Sequence, residues 1–488
     1  MVAARVALWG TFDVDNYGDH LFPRVAAHEL RRRLPEAVVD AYSPYGWLHP
    51  TGLDGGRAAS PLGPWSPERA RRLAASHHLV VVGGGELIHL NDPLLAPVYE
   101  TTADELRRMA PSRFFVEGLG PELEAECPVV WHGVGVPWAP DGDGARRLRA
   151  ALAPRPYVTV RDRHSAQRLA EAGVERPVDV VPDSALLVER ILPLTSLCDR
   201  LDRLRRAGAY PGPAPAAAVA AGEPALLSRA WRDQGAQVRG TAAGAGSGPL
   251  VVQGCDLLLA HLDAVVAAMT RWQAGRPVPL EVVVVETGRC RGDAVFAEAL
   301  AQALKPGRVW RLPAGAAVED LAAAIAGAGV FLGSSLHGAI TALAYGRPFV
   351  LLNLMGEAKL DGFGDLTGLD RYVVHTAAEI LPALDRALAD PAPPGLLADL
   401  QHRIDRHFDR LAELASGRAA ARPGVRPDPG LAADAVADHL GRLQDELDAS
   451  RRRAGAAERE LAALQATRTF RVLAPARGLY GRLRRTFP

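Results

Sequence analysis

One rhythm constrains this chain more than any other feature. Short runs of β-branched and aliphatic residues are each followed by a polar or glycine-containing break and then by an amphipathic stretch. Arg5–Trp9, Val38–Tyr42, His78–Val82, Pro128–Gly133, Tyr157–Val160 and Val178–Val181 read as strands, with helices over 21–34 and 67–76 between them. A second series opens near Pro249: Leu250–Gln253, Leu280–Glu286, Val309–Leu312, Val330–Gly333 and Phe349–Asn353. Helices over 257–272, 294–304, 318–326 and 334–345 separate those strands, and a helix over 396–414 closes the series. Strands that read as unbroken apolar runs are buried on both faces, which is the signature of parallel sheets covered by helices. The pattern predicts an α/β chain with two Rossmann-like parallel-sheet domains, residues 1–190 and 249–420.

Between them, 191–248 reads as an insertion or linker, clearest in the stretch PGPAPAAAVAAGEP. A second linker, ARPGVRPDPG, spans 421–430. The remaining 431–488 reads as a helical tail. Leu440, Leu447, Ala454 and Leu461 lie seven apart and interleave with Val436, Leu443, Ser450, Ala457 and Leu464. That is a heptad pattern thinned by small residues, and it points to a coiled coil and self-association. A solvated helix fits the same residues. After Glu460 no acid occurs, while Arg468, Arg471, Arg477, Arg482, Arg484 and Arg485 alternate with Phe470, Leu473, Leu479 and Phe487. A basic amphipathic end of this kind suits peripheral contact with an anionic membrane.

Composition narrows the function classes. Fifty-six basic residues balance 56 acidic ones, without the basic surplus of a nucleic-acid binder. Cys127, Cys198, Cys255 and Cys290 lie far apart, with no metal-ligand or redox spacing, so no metal site is expected. The first residues turn polar too soon for a signal peptide, and no apolar run reaches the roughly 18 residues of a membrane span, so the expected compartment is the cytoplasm. Lysine occurs only as Lys305 and Lys359, both in expected turns or loops. Anion binding is therefore expected to fall to arginine and backbone N–H groups.

Four motifs end expected strands, the edge at which open parallel sheets bind ligands. Asn16-Tyr17-Gly18-Asp19 combines a helix cap with a permissive backbone position. Gly83-Gly84-Gly85-Glu86 allows close backbone approach to a ligand, but it lacks the spacing of a dinucleotide fingerprint. Arg161 in Val160-Arg161-Asp162-Arg163 precedes a helix, with Pro182-Asp183 ending the following strand. Gly333-Ser334-Ser335-Leu336-His337-Gly338 places a histidine in the first turn of a capped helix, where it can exchange a proton near neutral pH. Each motif alone is also explained by capping, turns or surface ion pairs.

Taken in this order, the four resemble the polysaccharide pyruvyl transferase family, with its N-[FY]-G-D loop, G-G-G segment, [ST]-V-R-D followed by P-D, and late L-H-G helix. The resemblance covers about residues 5–190 and 249–355. It implies a GT-B-like two-domain fold and transfer of the enolpyruvyl carbons of phosphoenolpyruvate to hydroxyls of a cell-surface saccharide or its lipid-linked precursor. It also implies no cofactor beyond that co-substrate. His337 becomes the acid/base candidate, and Arg161, Ser334, Ser335 and Gly338 the donor-binding candidates. Asn16, Gly18, Asp19, Gly84, Gly85, Glu86, His132, Asp183 and Glu286 are the acceptor or cleft candidates. Ser335 stands where many members have arginine. Two other readings fit the same architecture: a glycosyltransferase using a nucleotide sugar held by Glu357 or Asp361, and a non-catalytic sugar-binding or assembly factor.

Overall fold

The apolar runs of the first half become five parallel strands: β1 (Arg5–Trp9), β2 (Val38–Ser43), β3 (Ser60–Pro61), β4 (Leu79–Gly83) and β5 (Val129–His132), ordered β3-β2-β1-β4-β5. These come from a computed structural model that describes residues 3–46, 59–212, 248–275, 280–304 and 309–466. Every residue of β4 and β5 is buried, as expected of central parallel strands. The first-half strands were expected to form one sheet. Instead β6 (Thr159–Val160) and β7 (Asp179–Val180) pair only with each other. Thr159 Oγ1 donates to the Trp131 carbonyl and Arg161 N–H to the Val134 carbonyl, so β6 reaches β5 through isolated bonds instead of a ladder.

The second half repeats the design. β8 (Leu250–Gln253), β9 (Val282–Val284), β10 (Val309–Arg311), β11 (Val330–Gly333), β12 (Phe349–Leu352) and β13 (Val373–Val374) form a parallel sheet ordered β10-β9-β8-β11-β12-β13. β13 lies beyond the strand expected to close the series.

Seven helices shape or support the strand ends: α1 (Tyr17–Arg33), α2 (Arg163–Glu171), α3 (Leu194–Arg206), α4 (Val318–Ala326), α5 (Leu336–Ala344), α6 (Ala358–Thr367) and α7 (Leu396–Ala421). α3 lies inside the stretch read as insertion. It packs on α4 of the second half through its buried Leu197, Leu201 and Leu204. α7 buries Leu400, Ile404, Phe408, Leu411 and Ala415 at helical spacing, and it returns from the second half to cover β1 and β4. Both halves and α7 share one apolar core. Glu29, fully buried on α1, takes Arg32, Arg33 and Arg190. Asp405 of α7 binds the same three arginines.

The chain divides into two compact units, Met1–Ala432 and Ala433–Pro488. A helix, α8 (Gly430–Ala466), enters the second of them, and its Leu440, Leu443, Leu447 and Leu461 are exposed. The basic amphipathic end, residues 213–247 of the insertion, and Lys305 lie outside the described residues. Among the described residues, no helix is long and apolar enough to cross a membrane.

Candidate active site

In each sheet the strand order reverses beside its first strand, between β1 and β4 and between β8 and β11. Ligands of doubly wound sheets bind outside the strand ends at such reversals. Here one pocket is lined from both. It takes side chains following β1, β4 and β6 in the first half and β8, β9, β11 and β12 in the second.

From the first half, Asn16 caps α1 by accepting from Gly18 N–H, and Asp19 follows in the first turn. Asp19 accepts from Thr11 Oγ1 at 2.6 Å. Burial pushes its carboxyl above the ordinary value, opposed by Thr11 and by the charge of His337. Gly18 has a steric role: a Cβ there would sit 2.0 Å from His337 Nδ1, so only glycine lets the ring lie against α1. The three glycines at the end of β4 divide their work. A side chain on Gly83 would strike Phe22, and Gly84 packs on the same ring at φ +81°. Only Gly85 lines the pocket, with Glu86 beside it. Arg161 is 5% exposed, held by Asp162 at 3.3 Å and Glu86 at 3.5 Å. Asp162 caps α2 by accepting from Ser165 N–H.

From the second half, Ser335 caps α5 by accepting from Gly338 N–H at 3.2 Å, and Ser334 lies within 3.4 Å of Gln253 Oε1. His337 stands in the first turn of α5, with Nε2 3.4 Å from Asp183 Oδ2. Burial would raise the Asp183 carboxyl. His337, the Ala185 N–H and Arg161 outweigh it and bring the value down to about 2. Asp183 therefore remains an anion behind the ring. It is the charge that a proton-carrying imidazole needs. Gly338 is structural: a side chain there would collide with Phe331.

Two sequence candidates lie elsewhere. His132 ends β5 but is fully buried beneath α7, its ring stacked on His407 at 4.6 Å and set against Phe22 and Phe408. Neither of its nitrogens has a partner, and burial lowers its pKa to about 4. Glu286 turns to the outer side of its strand and pairs with Arg311 at 2.8 Å. Asp361 is taken by Asn353 and His375 and does not line the pocket either.

Other residues escaped the sequence reading. Lys359, expected in a loop, is the second residue of α6 and lines the pocket, in contact with Glu357 and 3.6 Å from Glu86. The segment after β9 contributes Thr287, Gly288, Arg291 and Asp293. Asp293 Oδ2 shapes that segment by accepting from Thr287 N–H, Gly288 N–H and Gln253 Nε2. Burial raises its carboxyl to about 6. Tyr17 N–H donates to the Thr287 carbonyl and Asn16 bridges Gly288, so the segment is also tied to the start of α1. Its legible signal was position: Arg291 follows an apolar run, as the four chosen motifs do.

No group of acids, histidines or cysteines among the described residues could hold a metal ion.

A family model described as polysaccharide pyruvyl transferase matches residues 16–240 and 255–354. A comparison with curated proteins returned no match. Among solved structures, the chain is similar to UDP-N-acetylglucosamine 2-epimerase from Rickettsia bellii, at 12% identity and a TM-score of 0.47, covering 87% of this chain and 99% of that one. It is also similar to an alpha,alpha-trehalose-phosphate synthase from Burkholderia vietnamiensis, at 14% identity and a TM-score of 0.42, covering 86% and 98%. Neither likeness carries an argument about the site.

Proposed function

The chain belongs to the polysaccharide pyruvyl transferase family, and we propose that it transfers pyruvate from phosphoenolpyruvate to two hydroxyls of a saccharide, forming a ketal. The observation that carries this reading is the pairing of His337 with Asp183 at the capped start of α5, in a pocket that also holds guanidinium groups.

The reaction sets clear demands. Two hydroxyl oxygens bond to C2 of the enolpyruvyl group, and the C2–O bond to phosphate breaks. One hydroxyl proton goes to the methylene carbon, which becomes methyl. The other leaves with phosphate, so the products are the ketal and hydrogen phosphate. His337 is placed to move one of these protons, and the Asp183 anion compensates the imidazolium that results. The start of α5 directs free N–H groups and positive dipole toward the anionic donor, with Arg161 across the pocket. Asp19, pushed toward its protonated form by burial, is the second proton carrier. The acceptor enters along the side formed by Asn16, Gly85 and Glu86.

Purified full-length protein mixed with phosphoenolpyruvate and a panel of sugars tests this. Acceptor-dependent phosphate release is expected. Thermal stabilisation by a nucleoside diphosphate, with none by phosphoenolpyruvate and no release, would replace the reading with nucleotide-sugar transfer.

The exposed leucines of α8 support self-association as a coiled coil. Leu440→Glu with Leu447→Glu would then reduce the sedimentation coefficient to that of a monomer. The basic end supports docking on an anionic membrane that carries a lipid-linked acceptor. Deleting 467–488 would then release the protein from anionic vesicles, and undiminished vesicle binding would remove the idea.

A further inference from the structure

Three arginine or lysine side chains line the pocket, and two are already engaged. Arg161 is held by Asp162 and Glu86, and Lys359 by Glu86 and Glu357. Both serve first to neutralise carboxylates of the site. Arg291 differs: among the described residues its guanidinium forms no ion pair or hydrogen bond. The charges of Glu357, Glu86 and Asp19 favour its protonated form, yet none of them closes on it. A guanidinium carries five donors in a planar fork that suits a phosphate or carboxylate.

Its mounting is rigid. Asp293 gathers the segment around one oxygen, and Tyr17 and Asn16 tie the segment to the first half. Arg291 is therefore held at the pocket, on its exposed side, while Arg161 is sealed inside. The released phosphate must leave toward solvent, whereas the pyruvyl carbons remain on the acceptor. A cation at the open rim lies on the phosphate's side of the donor.

We infer that Arg291 is the phosphate anchor of this site, binding the phosphate ester of the donor and the inorganic phosphate it becomes. The inference rests on the pyruvyl-transfer reading for the identity of the donor alone; the phosphate chemistry stands without it.

The test is titration calorimetry of the full chain, as wild type, Arg291→Gln and Arg291→Lys, with three probes: phosphoenolpyruvate, inorganic phosphate and pyruvate. Because Arg291 is exposed and unpaired, both variants are expected to fold with unchanged melting temperatures. Arg291→Gln should weaken phosphoenolpyruvate and inorganic phosphate by roughly 30-fold, the order of a charge-assisted hydrogen-bond pair, with partial recovery in Arg291→Lys. Pyruvate binding should be unaffected. Equal phosphate affinity in wild type and Arg291→Gln would overturn the inference. So would no phosphate binding by wild type, or a loss confined to pyruvate. Arg291-dependent binding of inorganic phosphate without any binding of phosphoenolpyruvate would keep the anchor and sink pyruvyl transfer. Phosphoenolpyruvate turnover indifferent to Arg291→Gln would do the reverse.

Discussion

His337 follows closely on β11 and His132 ends β5, both buried parallel strands, and as sequence they invite the same reading. Their surroundings separate them. α7 is laid across the end of β5, so His132 meets the rings of His407 and Phe408 as well as Phe22, and neither nitrogen finds a partner. Burial takes its pKa to about 4, and it is a neutral packing group at any ordinary pH. Over His337 stands only the bare backbone of Gly18, with a carboxylate behind the ring and the pocket in front. What lies across the strand end decides whether a histidine there carries chemistry.

The largest expected effect comes from His337→Asn, which should lower acceptor-dependent phosphate release by about 10²–10⁴-fold, the usual contribution of a positioned acid/base group. Its melting temperature should stay near that of wild type, since the ring is partly exposed. His132→Phe should behave oppositely, leaving turnover unchanged and altering the pH dependence of stability. His132 and His20 both have folded values near 4, against an ordinary 6.5. The unfolded chain therefore takes up protons between those values that the fold refuses, and stability present above pH 6.5 is lost as pH falls toward 4. A shift of that size corresponds to about 3 kcal/mol per histidine. Melting curves from pH 7 to 4 should show the decline, and His132→Phe should flatten it. An unchanged slope would mean that His132 is protonated in the folded protein.

Gly18→Ala comes next. The added methyl must displace the His337 ring, and misplacement on the order of an ångström costs about 10²-fold, so turnover should drop with little change in melting temperature. Glu286→Gln should matter least. Its pair with half-exposed Arg311 is worth about 1 kcal/mol at most, and turnover should not move. A large kinetic effect there would place Glu286 in the site after all.

Much of the architecture was legible because parallel strands buried on both faces must be written as unbroken apolar runs; 250–253 and 330–333 fall where expected. β3 and β13, two residues each at the edges of their sheets, were not. In the site, position at a strand end marked Asn16, Asp19, Glu86, Arg161, Ser335 and His337, all of which line the pocket. Lys359 stayed hidden because it opens a helix several residues beyond its strand, a distance only the turn at Gly356 closes. The error over His132 has the same root. The helix that buries it lies more than 250 residues later in the sequence, where no local pattern can announce it.

That separation has a consequence for how the protein is made. Synthesis proceeds from the amino terminus, and the strands around β1 are complete long before residue 400 exists. Until Ile404 and Phe408 emerge, the side of the first sheet that α7 will cover is lined by α1 without its later partner, and Glu29 awaits Asp405, which binds the same arginines. The nascent first half therefore waits for α7 with part of that side uncovered, and a message truncated before α7 is expected to yield a sticky fragment rather than a smaller working protein.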